Sequence, residues 1–187
     1  MSEHAMPFDF RNKVTERRPD LTADYVALKS AEDILEPFLG WLKSRGSVIL
    51  KTPAEFKLVL AEAFKTSPDM FAITKAIGEG FGLPADEKLY QIVSDQAFDR
   101  RLHHRAAIQD WVMRNVIRFP AKEGDNVNFW RNEDGRRVRR AGIVLAVDPT
   151  SASAVVRLIW AKDRTADRVN SEDIDTIIAA AKLAKGK

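Results

Sequence analysis

Between residues 21 and 118 apolar side chains recur at intervals of three and four, and beyond Phe119-Pro120 they recur at every second position. The first period is that of a helix with one buried face, the second that of a half-buried strand. The change predicts an α+β chain: an all-α N-terminal domain over residues 21–118, then a small antiparallel β-domain over 122–170. Residues 1–20, polar and punctuated by proline, read as an arm. Residues 171–187 open on the capping signal "SEDI", turn alanine- and lysine-rich, and read as a short terminal helix and tail.

Within the helical part, "SAED" (Ser30–Asp33) resembles a capping box and opens a run of Ile34, Leu35, Phe38, Leu39, Trp41 and Leu42, closed by Gly46. Pro37 inside that run predicts a kink or a split into two short helices. "TPAE" (Thr52–Glu55) places a capping Thr, a first-turn Pro and a third-position Glu before the stripe Phe56, Val59, Leu60, Ala63, Phe64. "SPD" at Ser67 repeats the cap-then-proline device, and the glycines at 78, 80 and 82 end the helix that follows. A short helix near Glu87–Val93 and a longer one over about 95–118 complete the set. The longer one carries Phe98, Leu102, Ala106, Gln109, Val112 and Val116 along one side.

Past Pro120, "GDNVNFWRNEDG" alternates and ends in an Asp-Gly turn signal, residues 137–147 read as a second strand, "AVVRLIW" as a third and "RVN" as a short fourth. A two-residue turn at Asp134-Gly135 would pair Phe129 with Arg140 and Val127 with Gly142. That register leaves Ile143, Leu145 and Val147 on the face opposite Phe129. A bulge at Ala141-Gly142 would reunite them, as would a longer loop with the strand starting near Arg139. The pattern carried by "GDNVNFWRNEDG", "AGIVLAVD", "AVVRLIW" and "DRVNSEDI" resembles an SH3-like barrel of the tudor, KOW and integrase C-terminal type. The resemblance implies a fold and no residue roles. The aromatic-cage spacing of methyl-lysine readers is missing, as is the catalytic domain that precedes an integrase barrel.

Composition adds little until charge is placed along the chain. The 187 residues are 45% hydrophobic and 30% charged, ordinary for a globular protein with a core. There is no cysteine, which excludes disulfides and thiolate chemistry and suits a cytoplasmic setting. No secretory signal is visible, and no run approaches the roughly 18 apolar residues of a membrane span, so no membrane partner is expected. The net charge of +3 is uneven: residues 1–99 sum to −4, 100–140 to +6 and 141–187 to +1. Arginine supplies the central excess, most densely in "FWRNEDGRRVRRAGIVLAVD".

Candidate chemistry is sparse. "GEGFG" (Gly78–Gly82) follows a helix and is followed by no Lys-Ser/Thr, so it is a helix stop and not a phosphate loop. His103 and His104 point about 100° apart on a helix, with no further ligand at metal spacing. Asp163, Asp167, Glu172, Asp173 and Asp175 could rim a divalent ion, but acidic turn chemistry explains them as well. No nucleophile has a base to activate it. The sequence therefore predicts no catalytic residue, no metal site and no cofactor.

What remains is the arginine cluster. Arginine stays charged and meets phosphate with a planar fork of donors. The expected contact set is Arg136, Arg137, Arg139, Arg140 and Arg131 with Trp130 on the hairpin, and Arg101 and Arg105 on the basic side of the last helix. The first expectation is a non-enzymatic protein that binds DNA or RNA by its phosphates. The alternatives are a solvated basic face, arginines paired with acids of the helical half, an acidic protein partner, and a structural or adaptor subunit of a homo-oligomer or larger assembly, a virion component being one example.

Overall fold

The computed structural model describes residues 16–46, 51–159 and 166–178. Among the described residues five helices precede five strands: α1 Asp24–Ser44, α2 Pro53–Thr66, α3 Met70–Phe81, α4 Glu87–Asp95 and α5 Ala97–Arg114, then β1 Asn126–Glu133, β2 Arg136–Asp148, β3 Ser153–Leu158, β4 Ala166–Asn170 and β5 Ile174–Ile178. The chain divides into two compact units, Arg18–Ile108 and Met1–Arg17 with Gln109–Lys187. Among the described residues no helix is long and apolar enough to cross a membrane.

The helical unit is built on caps and one shared core. Thr52 closes a reciprocal capping box with Glu55, Asp69 caps Ala72 N–H at 2.8 Å, and Asp86 caps Leu89 N–H at 2.8 Å. Ile34, Phe38 and Trp41 of α1 pack with Phe56, Leu60 and Phe64 of α2, Ile73 and Ile77 of α3, and Leu89 and Val93 of α4. Three expectations are corrected here. α1 begins at Asp24, so "SAED" lies inside the helix, where Ser30 Oγ donates to the Val26 carbonyl, and of the two outcomes expected at Pro37 the split does not occur, since α1 runs through it as one element. Asp69, not Ser67, caps α3. Of the three glycines only Gly82 stops α3, in the left-handed conformation at φ 64°, while Gly78 and Gly80 lie within it.

The strands form one antiparallel sheet in the order β4-β3-β2-β1-β5, with a 3₁₀ turn at Ser171–Asp173 before β5. This is an α+β chain with the strand order of an SH3-like barrel. The Asp134-Gly135 turn has φ of 49° and 77°, the two left-handed residues of a tight hairpin turn. Phe129 pairs with Arg140 and Val127 with Gly142, and that register runs unbroken through Asn126 and Ile143. No bulge occurs at Ala141-Gly142. Gly142 and Val144 are the buried residues of β2, and the parity shift falls one residue after Val144, where Leu145 is skipped in the pairing with β3. Val127, Phe129, Val144, Val156, Val169 and Ile174 form the sheet's core.

The expected terminal helix is also corrected. "SEDI" opens the 3₁₀ turn, and Ile174–Ile178 is a strand paired with β1. Pairing with an open strand edge overrides the local signal of a cap. The remainder of that stretch, 179–187, lies outside the described residues, as do Asp163 and most of the N-terminal arm.

Candidate nucleic-acid interface

Side chains alternate across a strand, so the hairpin register sorts the arginines onto two faces. Arg137 and Arg139 share the outer face with Trp130. Arg136 and Arg140 share the inner face with Arg131 and Glu133, beyond the core residue Phe129. The four do not form one cluster.

On the outer face Arg139 pairs with Asp175 at 2.5 Å and donates to Thr176 Oγ1 at 3.3 Å. Arg137 stands 3.8 Å from Asp173, with its guanidinium carbon 5.5 Å from the centre of the Trp130 ring, a cation–π arrangement. A bulge in β5 sets up the first of these pairs. Asn128 pairs with Thr176 and Phe129 with Ile174, which leaves Asp175 as the extra residue, re-aimed at Arg139. Burial pushes the Asp175 carboxyl up, but hydrogen bonds from Thr176, Arg139 and Trp130 and the charge of Arg139 outweigh it and hold the group below its ordinary range.

On the inner face Arg140 pairs with Glu133, its Nε 2.9 Å from one carboxylate oxygen. That bond comes first in holding Glu133 below its usual pKa and Arg140 above its own. Arg131 of β1 reaches Asp167 of β4 at 2.8 Å, although these strands are not neighbours in the ladder. The sheet therefore curls far enough to bring β4 over β1. Arg136 is exposed and makes no ion pair among the described residues.

The acids that pair with these arginines belong to the sheet itself. Residues 122–178 carry ten Lys/Arg and ten Asp/Glu, so the local charge balance is zero. The layering is not neutral. In every ion pair of the sheet's described residues the arginine is the more exposed partner: Arg137 at 52% over Asp173 at 35%, Arg139 at 51% over Asp175 at 30%, and likewise for Arg131, Arg140 and Arg168. The helical unit is ordered the other way. There the acid is clearly the outer partner in three pairs, Glu32 over Lys57, Glu62 over Lys65 and Asp24 at 81% over Lys65 at 31%, and the partners are about equally exposed in Arg45–Asp86 and Lys75–Glu79.

The α5 cations behave differently from one another. Arg101 and Arg105 are exposed and without an ion pair among the described residues. Arg100, grouped with them in the sequence, is buried and donates to the carbonyls of Leu21 and Phe64 at 2.8 Å and of Ser67 at 3.1 Å. His103 bonds Asp33 at 2.6 Å and His104 donates to the Pro19 carbonyl at 3.1 Å, so both histidines bind their own unit. Of the apolar side expected for this helix only Val112 is buried: Phe98, Leu102 and Val116 are exposed, and Trp111, which is not on that side, is buried.

Among the described residues no group of three or more His, Asp or Glu is placed to hold a metal ion. Asp167, Asp173 and Asp175 are counter-ions of arginines instead. Sequence reasoning missed that role, and it missed Arg168 and Asn132, which line a cleft of about 410 Å³ beside Trp130. The signal was present in the spacing. Asp173 and Asp175 stand two apart, as do Arg137 and Arg139. Comparison with known protein families matches no family model, and comparisons with curated proteins and with solved structures likewise return no match.

Proposed function

We propose that this chain is a non-enzymatic nucleic-acid-binding protein that takes phosphates on the outward arginine layer of its sheet. The observation that carries the reading is the layering of charge, cation outside and acid inside, in each described ion pair of the sheet. A carboxylate behind a guanidinium fixes its direction and occupies one or two of its five N–H donors, leaving the rest to face solvent. Exposed pairs of this kind are worth only about 0–1 kcal/mol, so a phosphate can share or displace the carboxylate at small cost.

Fluorescence anisotropy with single- and double-stranded DNA and RNA at two salt concentrations tests it. Affinity is expected to fall steeply with salt, and the joint change of Arg136, Arg137, Arg139 and Arg140 to Ala is expected to flatten that slope. Unchanged affinity in the quadruple variant, with a lowered melting temperature, would refute the reading and leave the arginines as fasteners of the sheet.

The opposite layering of the helical unit favours a second reading. An acidic outer layer on one unit and a basic one on the other suit an adaptor that joins copies of itself or a larger assembly. Light scattering that shows salt-sensitive association without nucleic acid would support it.

A further inference from the structure

The cleft beside Trp130 deepens that proposal and rests on it. Trp130 and the guanidinium of Arg137 above its ring form one wall, and β4 residues Asp167 and Arg168 form another. Phe129 and Val169 also line it, and Asn132 stands at the hairpin end. Its volume of about 410 Å³ lies within the span of about 300–1,000 Å³ that holds small ligands.

We propose that this cleft seats one unpaired base of a single strand, with the flanking phosphates on Arg137 and Arg168. Both planes of the Trp130 wall can stack on a base, the indole directly and the guanidinium as a flat cation. Asn132 offers a donor and an acceptor to a base edge. Arg168, 3.7 Å from Asp148, is the most exposed arginine among the sheet's described ion pairs and lines the cleft from β4. A duplex keeps its bases stacked inside, so it can meet the arginines but cannot fill the concavity. The site therefore selects single strands, where the outward arginine layer alone would not.

The test uses the full chain and three labelled probes: an oligothymidine, an abasic strand of the same length and charge, and a duplex. Oligothymidine is expected to bind roughly 5- to 150-fold tighter than the abasic strand, the worth of one stacked base. W130A should remove that factor on oligothymidine and leave the abasic strand unchanged, while W130F keeps part of it. R168A, at an exposed position that tolerates change, should lower the single-strand salt slope by about 0.7 and spare the duplex. If W130A weakens oligothymidine and the abasic strand equally, or weakens neither, while R137A/R139A still matters, the cleft is not a base site and phosphate binding stands. If no probe binds at all, the proposed function fails with it.

Discussion

Arg100 donates to the Phe64 carbonyl at 2.8 Å from a position on α5 that is 1% exposed, with its guanidinium carbon 5.3 Å from the Phe64 ring centre. Phe64, Ser67 and Leu21 all present carbonyls that no helix bond satisfies on that side, and one guanidinium collects them. Burial lowers its pKa, yet a guanidinium stays charged throughout the working range. Arg100→Leu is expected to cost about 3 kcal/mol, because it strands buried acceptors as well as removing bonds. A denaturant melt checks it, and a loss below about 1 kcal/mol would show that water takes over the carbonyls.

Gly142 and Gly40 make a pair with opposite expected signs. A Cβ on Gly142 would press on Val156 of β3 and come within 2.8 Å of the Arg157 carbonyl. Backbone cannot yield cheaply, so Gly142→Ala is expected to destabilise by about 1–3 kcal/mol. Gly40 sits inside α1 with nothing within 4 Å of the same atom. Gly40→Ala is expected to stabilise by about 0.5–1 kcal/mol. Thermal melts that shift in the same direction for both would contradict the packing argument.

Gly142 also shows what could be read in advance. The sequence ties its glycine to a bulge at Ala141-Gly142, which the unbroken ladder excludes, while the Phe129–Arg140 register is the one a two-residue turn would fix. The reason was not legible: the glycine serves a close approach of β3, and sequence does not report the distance between strands. The Thr52 cap was legible for a similar local reason, since "TPAE" carries its signal within four residues, whereas the Asp86 cap was not read and Ser30 and Ser67 were not the caps. Asp173 and Asp175 were hidden because "SEDI" looks like a helix start until β5 is paired with β1. Arg100 was hidden because a charged residue on a helix reads as solvated unless a distant loop presents carbonyls to it.

Asp148 gives a pH dependence. Hydrogen bonds from the Thr150 and Ser151 side chains lower its pKa from 3.8 to about 2. A folded value below the unfolded one means stability that is fully present above about pH 4 and lost as the pH falls through about 2. After solvent screening the contribution is about 1 kcal/mol. The gap in melting temperature between the wild type and Asp148→Asn is expected to be constant from pH 7 to 5 and to close towards pH 2. A gap that persists to pH 2 would show that the charge of this carboxylate is not what the turn uses.

The division of the hairpin arginines between two faces gives the sharpest functional contrast. Arg137 and Arg139 lie with Trp130, while Arg136 and Arg140 lie on the other face, where Glu133 holds Arg140. Both double changes to Ala remove the same charge, so a purely diffuse electrostatic attraction would treat them alike. Contact on the outer face would not. Arg137→Ala with Arg139→Ala is expected to reduce the salt slope for a single strand by about 1.4, two contacts at about 0.7 each. Arg136→Ala with Arg140→Ala is expected to leave the slope within about half a contact of the wild type. Anisotropy titrations across a salt series measure both slopes. Equal reductions would assign the attraction to the field of the whole hairpin, and a reduction only in the Arg136 and Arg140 variant would move the contact surface to the inner face.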